Sequence, residues 1–298
     1  MTPTPAAGVD MDSVLVVKCG GDGAVDTDAV CRDVAGLVRA GRRVVLVHGG
    51  SYQIERLAAR LGVPQRTQIA PDGVPARYTD EATLEVVTLA LAGVVKPGLV
   101  AALSRYGVRA AGLTGLDGGL LRARRKAPQR AIVDGRRVLV RDNRSGTVYR
   151  VDTALLDLLL GQGLVPVVSP PAAADDGEPV NVNADRVAAA VASALRARLL
   201  VFLTGAPGVL RDPADERTLQ GACALPRTGP PAVGIGGGMA LKLVAAREAL
   251  LGGVWRVRIA DGRCAAPASA ALDGAGTDVV LRPAVADARP DARTGVAS

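Results

Sequence analysis

Aromatic side chains are nearly absent: the 298 residues include one Trp, one Phe and four Tyr. Base stacking on an aromatic platform has few candidates, so nucleic-acid recognition is disfavoured. His48 is the single histidine, which removes most mechanisms built on imidazole acid–base chemistry. Next to Gly49 and Gly50 it reads as a strand-end residue. Cys19, Cys31, Cys223 and Cys264 are scattered with no CxxC pair, which leaves little for a soft-metal site and points to reduced thiols. The apolar runs are strand-sized, as in Leu199-Leu200-Val201-Phe202-Leu203, and far short of a membrane span. Met1 to Asp12 has no basic start followed by an apolar core, so no secretory signal is read and the cytoplasm is expected. The GxxxxGKS/T phosphate loop is missing too.

What the chain does have is length for one large α/β unit or two lobes, and a net charge of +7 that is concentrated in one place. Arg122, Arg124, Arg125, Lys126, Arg130, Arg136, Arg137, Arg141, Arg144 and Arg150 face only Asp134 and Asp142 in that window. Ten cations against two carboxylates give +8, leaving −1 for the rest of the chain. The basicity is local.

Two strands in the N-terminal third run straight into paired glycines: Val14-Leu15-Val16-Val17-Lys18-Cys19-Gly20-Gly21 and Val44-Val45-Leu46-Val47-His48-Gly49-Gly50. Helical patterns over 26–39 and 52–61 follow them, so the chain opens as β-α-β-α, the alternation of a parallel sheet with helices on its faces. Residues 65–78, with Pro71, Asp72, Gly73 and Pro75, predict an irregular loop. A helix beginning near Asp80 should be kinked or split at Pro97. A strand over 110–113, a β-hairpin over 131–140 on the Asp134-Gly135 turn, a helix over 152–160 and a strand over 165–168 come next. Pro170-Pro171 begins a predicted linker reaching Pro179, where a lobe boundary is placed. Beyond it lie an Ala/Val-rich helix to Ala197, a strand over 199–203, a glycine run, a helix to Leu251 and strands over 254–259 and 279–281.

Lys18 at a glycine turn, Gly49-Gly50 at a neighbouring one, and Lys242 after Gly236-Gly237-Gly238 form a set suited to phosphoryl transfer. Charge on a moving phosphoryl group must be offset from both sides, and flexible donor-rich loops supply N–H groups. Asn183 and Asp185, in Asn181-Val182-Asn183-Ala184-Asp185, are also candidate helix caps; capping leaves Asn181 unexplained. Arg77 offers a guanidinium suited to a carboxylate, or a solvated surface charge.

In this order, Lys18-x-Gly-Gly, His48-Gly49-Gly50, Arg77-Tyr-Thr-Asp80, Asn181-Val-Asn-Ala-Asp185 and Gly238-Met239-x-x-Lys242 resemble the amino acid kinase family, in its acetylglutamate kinase branch, over Val14 to Leu281. The resemblance implies a single domain of α/β class, a three-layer αβα sandwich around a mainly parallel sheet. Its N-lobe (14–172) would bind the acceptor and its C-lobe (180–282) the nucleotide, with tails at 1–12 and 283–298. It implies ATP-dependent phosphorylation of a side-chain carboxylate. Lys18 and Lys242 would stabilise the transferring phosphoryl group, with Asp185 orienting them. Gly49, Gly50, Arg77 and Asn181 would hold the acceptor, and Gly20, Gly21, Thr204, Gly208, Gly237 and Gly238 the nucleotide. Mg2+ would enter with ATP, no protein metal ligands being expected.

His48-Gly-Gly-Ser51, Thr114-Gly-Leu-Asp-Gly118, Arg124-Arg125-Lys126 and Ser145-Gly-Thr-Val148 resemble the kinases acting on 2-aminoadipate or glutamate attached to a small acidic amino-group carrier protein, in lysine- and arginine-type biosynthesis. Arg122, Arg124, Arg125, Lys126, Arg136 and Arg137 would then dock the carrier, since a basic patch steers an acidic partner. A solvated basic hairpin is the plainer reading. A homodimer is implied, with Lys96-Pro97-Gly98 interrupting the helix expected at its contact. N-acetylglutamate kinase, acting on the free molecule, is the alternative within the class, and a non-catalytic nucleotide-binding regulator is the alternative outside it.

Overall fold

The computed structural model describes residues 13–69, 75–133, 135–229 and 237–283. Its elements begin with β1 (Val14–Cys19), α1 (Thr27–Arg39), β2 (Arg43–His48), α2 (Ser51–Leu61), β3 (Arg66–Ile69) and β4 (Pro75–Tyr78). Next come α3 (Glu81–Thr88), a π-helical stretch (Leu89–Val95), α4 (Lys96–Arg105), β5 (Ala110–Gly115), β6 (Leu121–Arg125), β7 (Gln129–Val133), β8 (Arg136–Val140) and β9 (Gly146–Val151). The chain continues with α5 (Ala154–Gly161), β10 (Val165–Ala173), β11 (Pro179–Val180), α6 (Ala184–Ala194), β12 (Leu199–Thr204) and β13 (Ala222–Leu225). It closes with α7 (Gly237–Leu251), β14 (Arg256–Asp261), α8 (Pro267–Leu272) and β15 (Thr277–Leu281).

A mainly parallel sheet runs in the order β13-β15-β14-β12-β1-β2-β10-β6-β9, with β5 and β11 also pairing with β10. Its two faces are separate cores because side chains alternate along each strand. Val14, Val16, Val45, Val47, Leu200 and Phe202 meet α6 and α7 through Val187, Val191, Leu243 and Ala246. Leu15, Val17, Leu46, Val201 and Leu203 meet α1, α4 and α8 through Val30, Val34, Leu99, Leu103 and Ala268. This is the three-layer sandwich the resemblance implies. Burying one such Leu, Val or Phe contributes roughly 1.5–3 kcal/mol, so the central strands, apolar on both faces, anchor the molecule.

Local signals fix the element ends. Asp26 accepts from the Asp28 and Ala29 N–H groups to start α1, Asp80 accepts from Thr83 N–H to start α3, and Gly62 ends α2 at φ 69°, where a Cβ is disfavoured.

Several expectations are corrected. Residues 66–69 and 75–78 are strands rather than irregular loop: β3 and β4 pair antiparallel and join β7 and β8 in a second, four-stranded sheet, while Pro71, Asp72 and Gly73 lie outside the described residues. The basic window holds two further strands, β6 and β9, paired with each other. Pro170 and Pro171 lie inside β10, which is buried along its length, so the linker shrinks to the turn before β11. At Pro97 the helix does not break: α3, the π stretch and α4 form one rod, and the Lys96 N–H bonds Leu91 O, five residues back. Pro has no N–H and its ring crowds the carbonyl four residues back; the wider winding just before it absorbs both. The rod, Glu81–Arg105, is long and apolar enough to cross a membrane by length and composition, but Leu84, Val87, Ala90, Leu91, Leu99 and Leu103 are buried within the protein. Asp134 and Gly236 lie outside the described residues.

Candidate active site

β1, β2 and β12 are parallel neighbours, with Cys19 beside His48 and Lys18 beside Phe202, so their carboxyl ends share one edge. The two glycine turns there touch. A Cβ on Gly21 would lie 2.2 Å from Gly50 N, and one on Gly50 would lie 2.7 Å from the Leu91 side chain. Ser51 Oγ and Tyr52 N–H both donate to Gly21 O at 2.9 Å. The glycines are required by close approach.

Strand alternation points Lys18, like Val16, toward α6. There its Nζ lies 2.7 Å from Asp185 Oδ1, and Lys242 Nζ from α7 lies 3.4 Å from Asp185 Oδ2. Lys18 and Asp185 are 4% and 6% exposed, so these are desolvated charges. Burial alone would raise the Asp185 carboxyl, but the charges and hydrogen bonds of Lys18 and Lys242 outweigh it and hold its pKa below the ordinary value. Burial and the charge of Lys18 lower Lys242, partly offset by Asp185. Two ammonium groups on one carboxylate leave a buried excess of one positive charge, a place that attracts an anion. Asn183, not Asp185, caps α6: its Oδ1 accepts from Arg186 N–H at 3.1 Å. That leaves Asp185 to the lysines.

Arg186 makes a bidentate pair with Glu248, at 2.6 and 2.9 Å, tying α6 to α7. Neither residue stands out in the sequence, because the helices that carry them are adjacent only in the fold. Asp22, just past Gly21, was missed as well; its charge reaches Lys242. The signal was an acidic residue beside a glycine turn.

Across the second glycine turn, Gly49 faces Ala184 at the start of α6. Asn181 Nδ2 donates to Thr79 Oγ1 at 3.1 Å, and its backbone N–H bonds Arg144 O. Arg77 is not the free guanidinium the sequence suggested. It donates to Gln65 Oε1, lies 3.8 Å from Glu55, and burial lowers its pKa against the pull of Glu55. On the other side, Thr204 ends β12 beside Asp261, Gly208 packs against Thr277 and Leu219, and Gly237 and Gly238 open α7, where a Cβ would meet no atom of the described residues within 4 Å. Lys242 follows one turn later. Arg122 and Arg124 lie on β6 at the rim of the main sheet, with Arg125 and Lys126 half-buried there, while Arg136 and Arg137 are exposed on β8 of the small sheet. The window thus spans both sheets rather than one hairpin.

The sequence profile of the amino acid kinase family matches residues 13–261. The chain belongs to the amino acid kinase family. It is 42% identical over 267 residues to a LysW-aminoadipate kinase of Deinococcus radiodurans, covering 90% of this chain and 91% of the relative. It is 39% identical to the LysW-aminoadipate kinase of Thermus thermophilus, covering 89% and 100%, and 40% identical to an acetylglutamate kinase of Methanopyrus kandleri, covering 80% and 91%. Among solved structures, Giardia lamblia carbamate kinase bound to AMP-PNP has the same fold, with a TM-score of 0.61 at 14% identity over 91% of this chain and 99% of that one.

Proposed function

We propose that this kinase uses ATP to phosphorylate the side-chain carboxylate of 2-aminoadipate or glutamate presented on a small acidic carrier protein, giving an acyl phosphate. The observation that carries it is the Lys18–Asp185–Lys242 bridge at the edge where both glycine turns meet. Lys18 and Lys242 offset charge on the transferring group from two sides, and Asp185 holds both ammonium groups in position. Gly20, Gly21, Gly237 and Gly238 approach the nucleotide phosphates, and Thr204 and the Gly208 loop border its far end. Gly49 and Gly50 present N–H groups to the acceptor carboxylate, with Arg77 and Asn181 toward its other end.

The buried positive excess and the open first turn of α7 fit a polyanionic nucleotide. Mg2+ would enter on ATP with phosphate oxygens as its ligands. The N-lobe serves the acceptor and the C-lobe the nucleotide.

The names of the Deinococcus and Thermus relatives attach aminoadipate to LysW, and the basic window supplies the complementary charge for an acidic carrier. We extend the reading to a homodimer in the cytoplasm, with exposed Leu89 and Val94 of the π stretch as the face a second copy covers; a monomeric mass by light scattering overturns that part.

The deciding experiment supplies ATP with either the carrier-linked amino acid or free N-acetylglutamate, and traps acyl phosphate with hydroxylamine. Turnover with the carrier-linked acceptor is expected. Turnover with free N-acetylglutamate alone makes the protein an acetylglutamate kinase, the reading the Methanopyrus relative favours, and turnover with neither points to a non-catalytic regulator.

A further inference from the structure

All three guanidinium nitrogens of Arg263, just past β14, are bonded to carboxylates. Nε and Nη2 hold Asp261 at 2.8 and 2.7 Å, while Nη1 and Nη2 hold Glu216 at 2.6 and 3.1 Å. Both pairs are bidentate, a geometry in which a guanidinium fixes position as well as charge. Asp261 is a near neighbour in the chain, but Glu216 is 47 residues away, in a 3-10 turn (Glu216–Thr218) at the tip of a hairpin between β12 and β13. Gln220 N–H to Val209 O and Arg211 N–H to Thr218 O close that hairpin. At its root Thr277 Oγ1 accepts from Val209 N–H and donates to Gln220 O. Thr277 anchors the root and Arg263 the tip.

The same turn backs the first glycine turn. Gly262 N–H donates to Thr204 O, and Gly262 O accepts from Asp26 N–H at the start of α1. A Cβ on Gly262 or on Gly20 would lie 2.8 Å from the Val25 side chain, and one on Gly205 would lie 2.5 Å from Ala24. Residues 261–263 therefore join the segment that follows Gly20-Gly21 to the hairpin that follows Gly208.

We propose that Arg263 is a positioning residue for the nucleotide: by clasping Glu216 to Asp261 it holds the 209–220 hairpin at the spacing from the Gly20-Gly21 turn that ATP requires. The inference rests on the reading of this side of the sheet edge as the nucleotide site. Asp185, not the clasp, holds Lys18 and Lys242, so the clasp governs nucleotide affinity rather than the transfer step. Charge alone would act the other way. Two carboxylates outnumber one guanidinium here, and losing a carboxylate beside a polyanion would tighten its binding, whereas losing a clasp loosens it.

Calorimetric titration of ATP into the full chain, with steady-state kinetics at saturating acceptor, tests it on Arg263→Ala, Glu216→Ala and the double variant. Each single variant should raise the Kd and KM for ATP about ten-fold while kcat changes by less than about two-fold. The double variant should be no weaker than Arg263→Ala, because both changes remove the same contact. Arg263→Lys, which keeps the charge and loses the fork, should weaken ATP as well. Melting temperatures should hardly move, since Arg263 and Glu216 are 38% and 55% exposed and their attraction is screened. Tighter ATP binding by Glu216→Ala, additive losses in the double variant, or a fall in kcat at unchanged KM overturns the clasp. Variants that match a wild type able to bind ATP overturn the clasp alone; a wild type that binds no ATP overturns the nucleotide reading beneath it.

Discussion

Asp185 is the residue on which the site's electrostatics turn, since its carboxylate bridges two buried ammonium groups. Asp185→Asn keeps the shape and removes the charge. Stability should fall by about 3–5 kcal/mol, the usual cost of leaving buried charge uncompensated, and kcat by about 10²–10³-fold; urea denaturation and steady-state kinetics measure the two. The pH dependence follows from the sign of the shift. Asp185 is lowered from 3.8 in the folded state, so its contribution is fully present above that value and is lost as pH falls through the lower folded pKa. The stability gap between wild type and Asp185→Asn should therefore be constant at neutral pH and close only in acid below 4; a gap that closed between pH 5 and 7 would assign the effect to another group. In the sequence, Lys18 and Lys242 were legible as cations beside glycine loops. Asp185 and Asn183 competed for the same cap, and the Asn183 bond to Arg186 decides between them. Arg77 looked free because its partners, Gln65 and Glu55, come from a preceding loop and helix.

Elements read well where burial is two-sided and badly where it is shared. β1, β2 and β12 announce themselves as continuous branched apolar runs. β3 and β4 have four residues each, are punctuated by Pro and Gly in the sequence, and are ordered by pairing with each other and, through β3, with β7 rather than by a pattern of their own. In β6 the alternation is carried by Leu121 and Ala123 alone between arginines, and six-residue α8 is too short to show a helical period. The α6–α7 pairing was equally hidden, although Asp185 and Lys242 depend on it. The Arg186–Glu248 pair is about one-third exposed, so solvent screening limits its contribution to stability to roughly 1 kcal/mol or less. Its effect on alignment is larger: Glu248→Ala should lower kcat about ten-fold, equivalent to about 1.4 kcal/mol of barrier, while the KM for ATP and the melting temperature change little. A matched loss of kcat and stability would reduce the pair to scaffolding.

At the scale of the molecule, the +8 window leaves the main sheet on β6, crosses to β7 and β8 in the small sheet, and returns on β9. Its cations are therefore unequal as tests of docking. Arg125 Nε donates to Asn143 O at 3.2 Å and Arg124 lies over the Tyr149 ring at 5.4 Å, so reversing either charge also disturbs the strands that carry it. Arg136 and Arg137 are exposed on β8 at the edge of the small sheet, which makes Arg136→Glu with Arg137→Glu the cleaner probe. The double variant should keep its circular dichroism spectrum and its melting temperature. With a carrier-linked acceptor, KM should rise about ten-fold at low ionic strength, and the difference from wild type should shrink at 0.5 M salt, where screening acts over only a few ångströms. The kcat at saturating carrier should hold, because the proposed reacting groups, Lys18, Asp185 and Lys242, lie in the main sheet and its helices. An acceptor small enough to diffuse in unaided would not sense the change. A KM that neither the double reversal nor salt alters would return the basic window to a solvated surface, and with it remove the electrostatic argument for an acceptor that arrives on a protein.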